Sequence, residues 1–207
     1  MSNGKHLVLS ADSGFAHGDV KTSKINIQTN EQILKTDDIV INNLTLAAVA
    51  DFHCLRLEAT RLLPQAFGPS HVQLKKMSVV ETENSFNEIW DIDDNFIACA
   101  WCNENLIGTI GLQRVTEGNA IHTAVVWSVY VKPAYQGRGV ARRLMQYVID
   151  RAAGIPELEI LKLESSASQD NAIHFYQSQG FEIFGRELRG LKVADDYVDV
   201  VHMALRL

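Results

Sequence analysis

The clearest pattern of hydrophobic and polar positions in this chain lies between residues 123 and 153. Residues 123–131 (TAVVWSVYV) carry no charge and are mostly β-branched or aromatic, as is typical of a strand buried on both faces. After a short loop rich in glycine and arginine, apolar residues recur at helical spacing from Val140 to Ala152. The pattern predicts a strand, a loop and an amphipathic helix that ends at Gly154.

Weaker patterns predict the elements around this unit. They are a strand at 39–46, a helix at 49–63, a short helix within 72–90, a hairpin of strands at 96–102 and 106–115 with a three-residue turn, a strand at 159–166, a helix at 172–179, and an antiparallel strand pair at 182–190 and 197–207. Either Asn43 or Thr45 is placed to cap the first helix. Because a helix crosses between the strands at 123–131 and 159–166, we expect these two strands to be parallel.

Length and composition limit the number of domains and the kind of protein. A chain of 207 residues with 46% apolar residues can build one sizeable core, so we expect one domain at 38–207, preceded by an N-terminal extension of unknown role at 1–37. No apolar run approaches the roughly 20 residues that a membrane helix needs, and the signal-peptide pattern is absent. Three cysteines, an odd number, fit a reducing compartment. We therefore expect a cytoplasmic protein without a membrane partner.

The pair Cys99-x-x-Cys102 lies in the predicted strand at 96–102. Residues three apart in a strand point to opposite faces, so the two thiols cannot share a metal ion or form a redox-active bond. No second pair of Cys or His ligands completes a zinc site. We therefore predict no metal site.

The loop between the central strand and helix reverses the charge of the chain locally. The formal net charge is -6, yet twelve residues of this region contain four cations and no acid: Lys132, Arg138, Arg142 and Arg143. A helix N-terminus also presents unpaired backbone N–H groups and about half a positive charge, and Gly137 and Gly139 allow a ligand to approach closely. These features indicate a phosphate-bearing ligand.

Two common phosphate-binding motifs fit this loop poorly. The chain contains no P-loop pattern G-x-x-x-x-G-K-[ST], which excludes that class of site. In the dinucleotide-binding pattern G-x-G-x-x-G, Arg142 stands where a third glycine must let helix and strand pack closely. An oxidoreductase on a dinucleotide-binding fold is therefore a weaker alternative.

A third reading rests on a family resemblance. Residues 136–141 (QGRGVA) resemble the Q/R-x-x-G-x-G/A signature of the GNAT superfamily of N-acetyltransferases, which bind the pyrophosphate of acetyl-CoA on that turn. Residues 172–181 (AIHFYQSQGF) resemble the A-I-x-x-Y-x-x-x-G-F helix end of the same family, and residues 55–68 resemble its first helical segment less specifically. The resemblance implies an α/β GNAT fold, which is a mixed twisted central sheet with helices on both faces.

The resemblance also implies roles for individual residues. The strand backbone would contact the pantetheine arm and the oxyanion, and the turn would bind the phosphates. The family often has an asparagine seven residues before the tyrosine of its second motif, where this chain has Gln169 with Asn171 nearby. The implied acetyl-CoA contacts are Val129, Tyr130, Val131, Gln136, Gly137, Arg138, Gly139, Val140, Ala141, Arg142, Gln169 and Asn171.

Acetyl transfer to an amine sets further requirements. It needs a neutral nucleophile, stabilisation of the tetrahedral oxyanion and a proton for the departing thiolate. The resemblance assigns proton donation to Tyr176. Many members place a basic glutamate on the strand before the phosphate loop, but residues 123–131 contain no acid. Glu164 and His122 are the candidates for the general base, and the sequence leaves the choice open.

The function implied by the resemblance is transfer of an acetyl group from acetyl-CoA to a primary amine by direct attack. The alternative is a catalytically inactive acyl-CoA-binding sensor or interaction module. The acidic charge balance favours a cationic acceptor, such as a polyamine, an aminoglycoside, an amino acid or a protein amino group, and disfavours nucleic acid. Edge pairing of the C-terminal strands offers a simple route to a homodimer.

Overall fold

The structure is a computed structural model that describes residues 38–90 and 94–207. The predicted extension at 1–37 lies outside the described residues. In chain order the elements are β1 (Ile39–Asn43), α1 (Val49–Leu62), α2 (His71–Lys76), α3 (Val79–Trp90), β2 (Phe96–Cys102), β3 (Asn105–Arg114), β4 (Thr123–Val131), α4 (Val140–Ala153), β5 (Ile160–Ser166), α5 (Asp170–Ser178), β6 (Glu182–Val193) and β7 (Asp196–Arg206).

The strands of the described residues form one seven-stranded sheet in the order β1-β2-β3-β4-β5-β7-β6. Strands β4 and β5 are parallel, as predicted from the helix that crosses between them. The other neighbouring pairs in this sheet are antiparallel. The sheet is therefore mixed, and the predicted C-terminal strand pair is confirmed.

Helices cover both faces of this sheet, which confirms the predicted α/β class. On one face, Leu144 and Met145 of α4 are fully buried in a core cluster with Leu161 of β5. On the other face, Phe52 of α1 is buried in a second cluster with Ile97 of β2. Each helix buries its apolar stripe against one side of the sheet, so the fold has three layers.

The two cysteines of the C-x-x-C pair lie in different core clusters. Cys99 packs on the α1 side of the sheet and Cys102 on the α4 side, as the alternation of a strand requires. Both thiols are free, and burial raises the pKa of Cys99 to about 12. The prediction that they point to opposite faces is confirmed.

The first helix begins differently from the prediction. β1 ends at Asn43, and a 3-10 turn at Leu46–Ala48 leads into α1. Thr45 precedes this turn but makes no side-chain capping hydrogen bond. The Asn43 side-chain oxygen accepts hydrogen bonds from the Tyr147 hydroxyl at 3.0 Å and from Arg151 Nη1 at 2.8 Å. The predicted cap is therefore wrong, because the side chain of Asn43 accepts hydrogen bonds from residues of α4 instead of capping α1.

The predicted single helix within 72–90 is also wrong, because α2 and α3 both form there. Each begins with a capping box. The backbone N–H of Gln73 donates to the Ser70 hydroxyl, and the Gln73 side chain accepts from the Ser70 N–H. Ser78 and Glu81 make the same reciprocal pair before α3.

The hairpin between β2 and β3 has a shorter turn than predicted. Cys102 pairs with Asn105, so Asn103 and Glu104 alone form the turn. Asn103 has a φ of 53°, a left-handed conformation that asparagine tolerates better than most residues. The third polar residue of the predicted turn belongs to β3.

The pairing of β4 with β5 is short, and it leaves a gap between the two strands that determines where the candidate site lies. Residues Thr123–Val125 of β4 pair with β5, starting opposite Ile160. Beyond Val125, the register of these two strands contains no further pairs within the described residues. The C-terminal halves of the two parallel strands therefore leave a gap between them.

Candidate active site

A β-bulge interrupts β4 where its pairing with β5 has ended. Thr109 pairs with Tyr130 and Gly111 with Trp127, so two residues of β4 lie opposite one residue of β3. Ser128 lies inside this bulge with a φ of 53°, and its carbonyl accepts a hydrogen bond from the Thr109 hydroxyl at 3.0 Å. A bulge redirects backbone groups out of the strand ladder, so this part of β4 can offer N–H groups to a ligand.

The strand residues predicted to contact acetyl-CoA can do so mainly through their backbone. Tyr130 and Val131 are both buried. The Tyr130 hydroxyl donates a hydrogen bond to Glu58 Oε1 on α1 at 2.8 Å, and burial together with this bond raises its pKa. Val129 is half-buried against the core on the α4 side. A backbone role is the one that the family resemblance implied for these three residues.

A side chain of the loop after β4 forms a hydrogen bond back to the end of the strand. Gln136 Nε2 donates a hydrogen bond to the carbonyl of Val131 at 2.9 Å. Gly137 and Gly139 have φ angles of 72° and 78°, which other residues adopt only with strain. A Cβ atom on either glycine would meet no atom within 4 Å, so both face open space. The loop therefore leaves room for a ligand beside its backbone.

The N-terminus of α4 adjoins this open space. Gly139 is the N-cap of the helix, and the N–H of Arg143 donates to its carbonyl. The backbone N–H groups of residues 140–142 precede this first intrahelical bond and have no partner within the helix. The side chain of Val140 is buried, so its N–H group is the part that can reach a ligand.

The four cations of this region have different surroundings. Arg138 and Arg142 are exposed beside the loop, whereas Arg143 is half-buried and donates a hydrogen bond to the carbonyl of Ile39 at 2.8 Å. Lys132 is half-buried and lines a second, smaller cavity of about 140 Å³. The cations best placed for phosphates are therefore Arg138 and Arg142.

Tyr176 lies on α5 and is 8% exposed within the core on the α4 side. Its ring packs against the ring of Phe181 with 6.1 Å between centroids. Its hydroxyl makes no hydrogen bond with another described residue. Burial raises the pKa of Tyr176 to about 12, so the hydroxyl keeps its proton at neutral pH.

Gln169 and Asn171 lie at the start of α5, in the same helix as Tyr176. Gln169 is the N-cap residue, and its carbonyl accepts a hydrogen bond from the N–H of Ala172 at 2.9 Å. Neither side-chain amide bonds to another residue in the described part of the chain. Both amides can therefore serve a ligand.

A cavity of about 320 Å³ lies beside the bulge. Both β4 and β5 line it, through Val125–Ser128 and Glu164–Ser166. Arg56 of α1 and the segment Ala66–Pro69 contribute further walls, and the C-terminal hairpin adds Leu191. The cavity thus opens where the two parallel strands have stopped pairing, at a point where a second substrate could enter.

The structure brings Glu164 to this cavity but places His122 elsewhere. The Glu164 side chain is 70% exposed, and its Oε1 lies 3.5 Å from Nδ1 of His202 on β7. His202 Nε2 lies 3.4 Å from Oε2 of Glu187 on β6. His122 precedes the N-terminal end of β4, where its carbonyl accepts from the N–H of Ile160, whereas the glycine loop follows the opposite end.

Arg56 also lines the cavity, although it is not among the site residues predicted from the sequence. Its Cζ lies 5.7 Å from the ring centroid of Phe52 and 5.8 Å from that of Trp127. The i, i+4 spacing of Phe52 and Arg56 on α1 is a local signal that places both on one helix face. Trp127 comes from β4, so no local pattern indicates that it joins them.

Within residues 38–90 and 94–207, no three His, Cys, Asp or Glu side chains come close enough together to hold a metal ion. No helix in these two segments combines the length and apolar character needed to cross a bilayer.

Three features together define a class of fold. They are the bulge in β4, the gap where β4 and β5 stop pairing, and the glycine loop at the N-terminus of α4. The same fold occurs in yncA from Salmonella typhimurium, which was solved with its cofactor acetyl-CoA. The two structures agree with a TM-score of 0.71 at 18% identity, over 82% of this chain and 94% of that one. Residues 64–181 match the sequence pattern of the Acetyltransferase (GNAT) family, and the chain belongs to this family.

Individual relatives agree with this assignment. The chain is 32% identical to the N-alpha-acetyltransferase RimI of Mycobacterium tuberculosis over 115 residues, which are 55% of this chain and 70% of that protein. It is 26% identical to the Spermidine N(1)-acetyltransferase of Escherichia coli strain K12 over 95 residues, or 46% of this chain. The matched region spans about half of the spermidine acetyltransferase, at 51% of its length.

Proposed function

We propose that this protein transfers an acetyl group from acetyl-CoA to a primary amine. The observation that carries the proposal is the course of β4. Its bulge borders the cavity, and its C-terminal end leads within a few residues to the glycine loop and the N-terminus of α4. One continuous stretch of backbone N–H groups could thus hold a thioester at one end and a pyrophosphate at the other.

The charges and open space at the loop support acetyl-CoA as the co-substrate. The N–H groups of residues 140–142 would bind the pyrophosphate, with Gly137 and Gly139 allowing its close approach and Arg138 and Arg142 adding charge. The backbone of residues 129–131 would hold the pantetheine arm. The amides of Gln169 and Asn171, which lack partners among the described residues, offer further contacts. The names of the matched relatives and the acetyl-CoA held by yncA support the same choice.

The reaction that suits these groups is direct attack of the amine on the thioester. Glu164, directly or through a water molecule, would accept a proton from the amine nitrogen as that nitrogen bonds to the carbonyl carbon. Backbone N–H groups of the bulge would stabilise the oxyanion. When the carbon–sulfur bond breaks, Tyr176 would donate its hydroxyl proton to the thiolate. Solvent would then reprotonate the phenolate and take the proton from Glu164, which restores both groups.

A covalent acetyl-cysteine route has less support. Cys99 and Cys102 are buried in the core, and burial raises the pKa of Cys99 to about 12, so its nucleophilic thiolate is scarce. Cys54 is exposed but lines the smaller cavity rather than the one beside the bulge.

An acyl-CoA-binding module without catalysis is the second candidate. The observation that favours it is the absence of an acid on β4, together with the 70% exposure of the alternative base, Glu164. An exposed carboxylate is a weak base for an alkylammonium ion, whose own pKa is about 10.4. In this reading the cofactor would bind while amines would not react.

Calorimetric titration with acetyl-CoA tests cofactor binding, with NAD as a control ligand. We expect saturable binding of acetyl-CoA, lost in Gly139→Glu because the new side chain enters the phosphate space. Gly118→Glu is a matched control, since Gly118 also has a positive φ, of 71°, and open space around its Cβ position. This control should bind acetyl-CoA normally. Failure of the unsubstituted protein to bind acetyl-CoA would refute the proposal, and binding of NAD instead would revive an oxidoreductase.

Turnover separates the enzyme from the binding module. The acceptors are spermidine, peptides with a free α-amino group and amino acids, and CoA release is followed by chromatography so that the exposed Cys54 thiol does not interfere. Tyr176→Phe should lower kcat by about 10²- to 10⁴-fold with acetyl-CoA binding retained. Binding without turnover of any amine would replace the enzyme by the binding module.

We also propose that two copies pair through β6. This strand forms the edge of the sheet, and it exposes apolar side chains, with Leu188 75% exposed and Phe184 also on the surface. Exposed apolar edges favour pairing with another chain. Sedimentation should therefore report a dimer, and Leu188→Lys should shift it towards the monomer; a monomeric unsubstituted protein would contradict this proposal.

A further inference from the structure

The cavity beside the bulge carries two opposite charges on different walls. Among the residues that line it, Arg56 on α1 and Glu164 on β5 are the charged ones. They form no ion pair with each other in the described structure, where Glu164 instead lies near His202. The cavity therefore presents a cation and an anion to whatever occupies it.

Arg56 is held in place without using its hydrogen-bond donors. The rings of Phe52 and Trp127 flank its guanidinium at 5.7 and 5.8 Å. Within residues 38–90 and 94–207 this guanidinium makes no hydrogen bond or ion pair, although it carries five N–H donors. Partial burial lowers its pKa, but an arginine remains protonated at neutral pH. A cation that is partly desolvated and has no counter-ion among the described residues favours an anionic ligand.

Two other half-buried arginines differ in this respect. Arg114 pairs with Asp94 at 3.1 Å, and Arg143 donates to the carbonyl of Ile39. Both use protein oxygens and thereby support the fold. Stacking against aromatic rings fixes the plane of a guanidinium but leaves its edge available for a planar anion. Arg56 has cation–π contacts with two aromatic rings but no bonds to protein oxygens.

We propose that the acceptor amine also carries a carboxylate, as an amino acid does, and that Arg56 binds this carboxylate. The inference rests on the acetyltransferase function proposed above. The amine would lie towards Glu164 and the bulge at Ser128, where the thioester is expected. Phe67 and Leu191 of the same cavity suit an apolar side chain. A polyamine would instead bring a like charge towards Arg56.

Acceptors that differ only in their carboxylate test directly whether this group is recognised. The common L-amino acids are compared with their amides, and with spermidine, as acceptors for the protein at saturating acetyl-CoA. We expect the best amino acid to exceed its amide in kcat/KM by about tenfold or more, because a charge-assisted hydrogen bond is lost in the amide. Spermidine should be a poorer acceptor than that amino acid.

Three variants assign the effect to Arg56. Arg56→Gln should raise KM for the amino acid with a smaller change in kcat, and should remove its advantage over the amide. Arg56→Lys should restore part of that advantage, since a charge returns without the bidentate geometry. Arg61→Gln removes the same charge from an exposed position of α1 outside the cavity and should change nothing. Titration with acetyl-CoA shows that each variant is folded.

The outcomes separate the two proposals. If amides or spermidine are the better acceptors, or if Arg56→Gln keeps the full preference for the carboxylate, Arg56 does not bind a carboxylate and the acetyltransferase proposal stands. If acetyl-CoA binds and other amines react while no amino acid does, the proposal for Arg56 is wrong and the acetyltransferase proposal still stands. If acetyl-CoA does not bind, the proposed function is refuted and the inference with it. Should Arg56→Gln fail to fold, the comparison of acid with amide in the unsubstituted protein still decides.

Discussion

The hydroxyl of Tyr130 on β4 donates a hydrogen bond to Oε1 of Glu58 on α1, with 2.8 Å between the two oxygen atoms. The same strand carries the bulge at Ser128, and the same helix carries Arg56. Strand and helix are both walls of the cavity, so this bond holds two of its walls together. Because Tyr130 is buried and Glu58 is half-buried, the bond is partly shielded from competing water.

Tyr130→Phe should lower the free energy of unfolding by about 1 kcal/mol, the usual net value of an intramolecular hydrogen bond. Urea denaturation followed by circular dichroism measures the change. Tyr197→Phe is the matched control, because Tyr197 is 49% exposed and its hydroxyl bonds to no other residue of the described structure. The control should change the stability by less than about 0.5 kcal/mol. Equal effects of the two substitutions would show that the bond to Glu58 contributes nothing.

The raised pKa of Tyr176 predicts a loss of stability in alkali. Burial moves this pKa from 10.0 to about 12, so the unfolded chain releases the proton at a lower pH than the folded chain. Between those values the unfolded state binds fewer protons, and the free energy of unfolding must fall as pH rises. The fall should reach about 2 to 3 kcal/mol above the higher value. Tyr176→Phe should lose correspondingly less over this range, and parallel pH profiles for both proteins would contradict the prediction.

Gly139→Ala should destabilise the protein without any steric clash. A Cβ at this position meets no atom within 4 Å, so the cost comes from the φ of 78° and should be about 1 kcal/mol. Gly68→Ala is the control, since its Cβ position is equally open and its φ lies outside the left-handed region. Thermal and urea unfolding should show Gly68→Ala unchanged or slightly stabilised. A neutral Gly139→Ala would mean that the loop relaxes to another conformation.

Comparison of Glu164→Gln with His122→Gln decides between the two candidate bases. Glu164 lines the cavity, whereas His122 lies before the far end of β4. Glu164→Gln should lower kcat by about 10²- to 10⁴-fold, as expected on loss of a general base, with acetyl-CoA binding unchanged. His122→Gln should leave kcat as it was. The opposite result in steady-state assays would assign the base to His122 and show that the cavity is not the reaction site.

Several local features of the fold were predictable because each depends on residues close together in the chain. The bounds of β4 and α4 follow from an uncharged β-branched run and a helical apolar stripe, and both agree with the prediction within a residue or two. The capping boxes at Ser70 and Ser78 are equally local and could have been recognised from their S-x-x-Q and S-x-x-E patterns. The prediction failed at Asn43, because its side chain hydrogen-bonds to residues of α4, which lie far away in the sequence.

The sequence alone determined the family, the parallel crossover and the glycine loop at the start of α4. Each of these is encoded by residue type at short spacing, where backbone conformation and hydrophobic periodicity act. Tertiary structure alone decided which side chains share the cavity. Arg56, Trp127 and Glu164 lie on three separate elements, and they meet because β4 parts from β5 after Val125 while α1 packs across the sheet. The charge pattern of such a cavity arises from packing between distant segments, which no local spacing records.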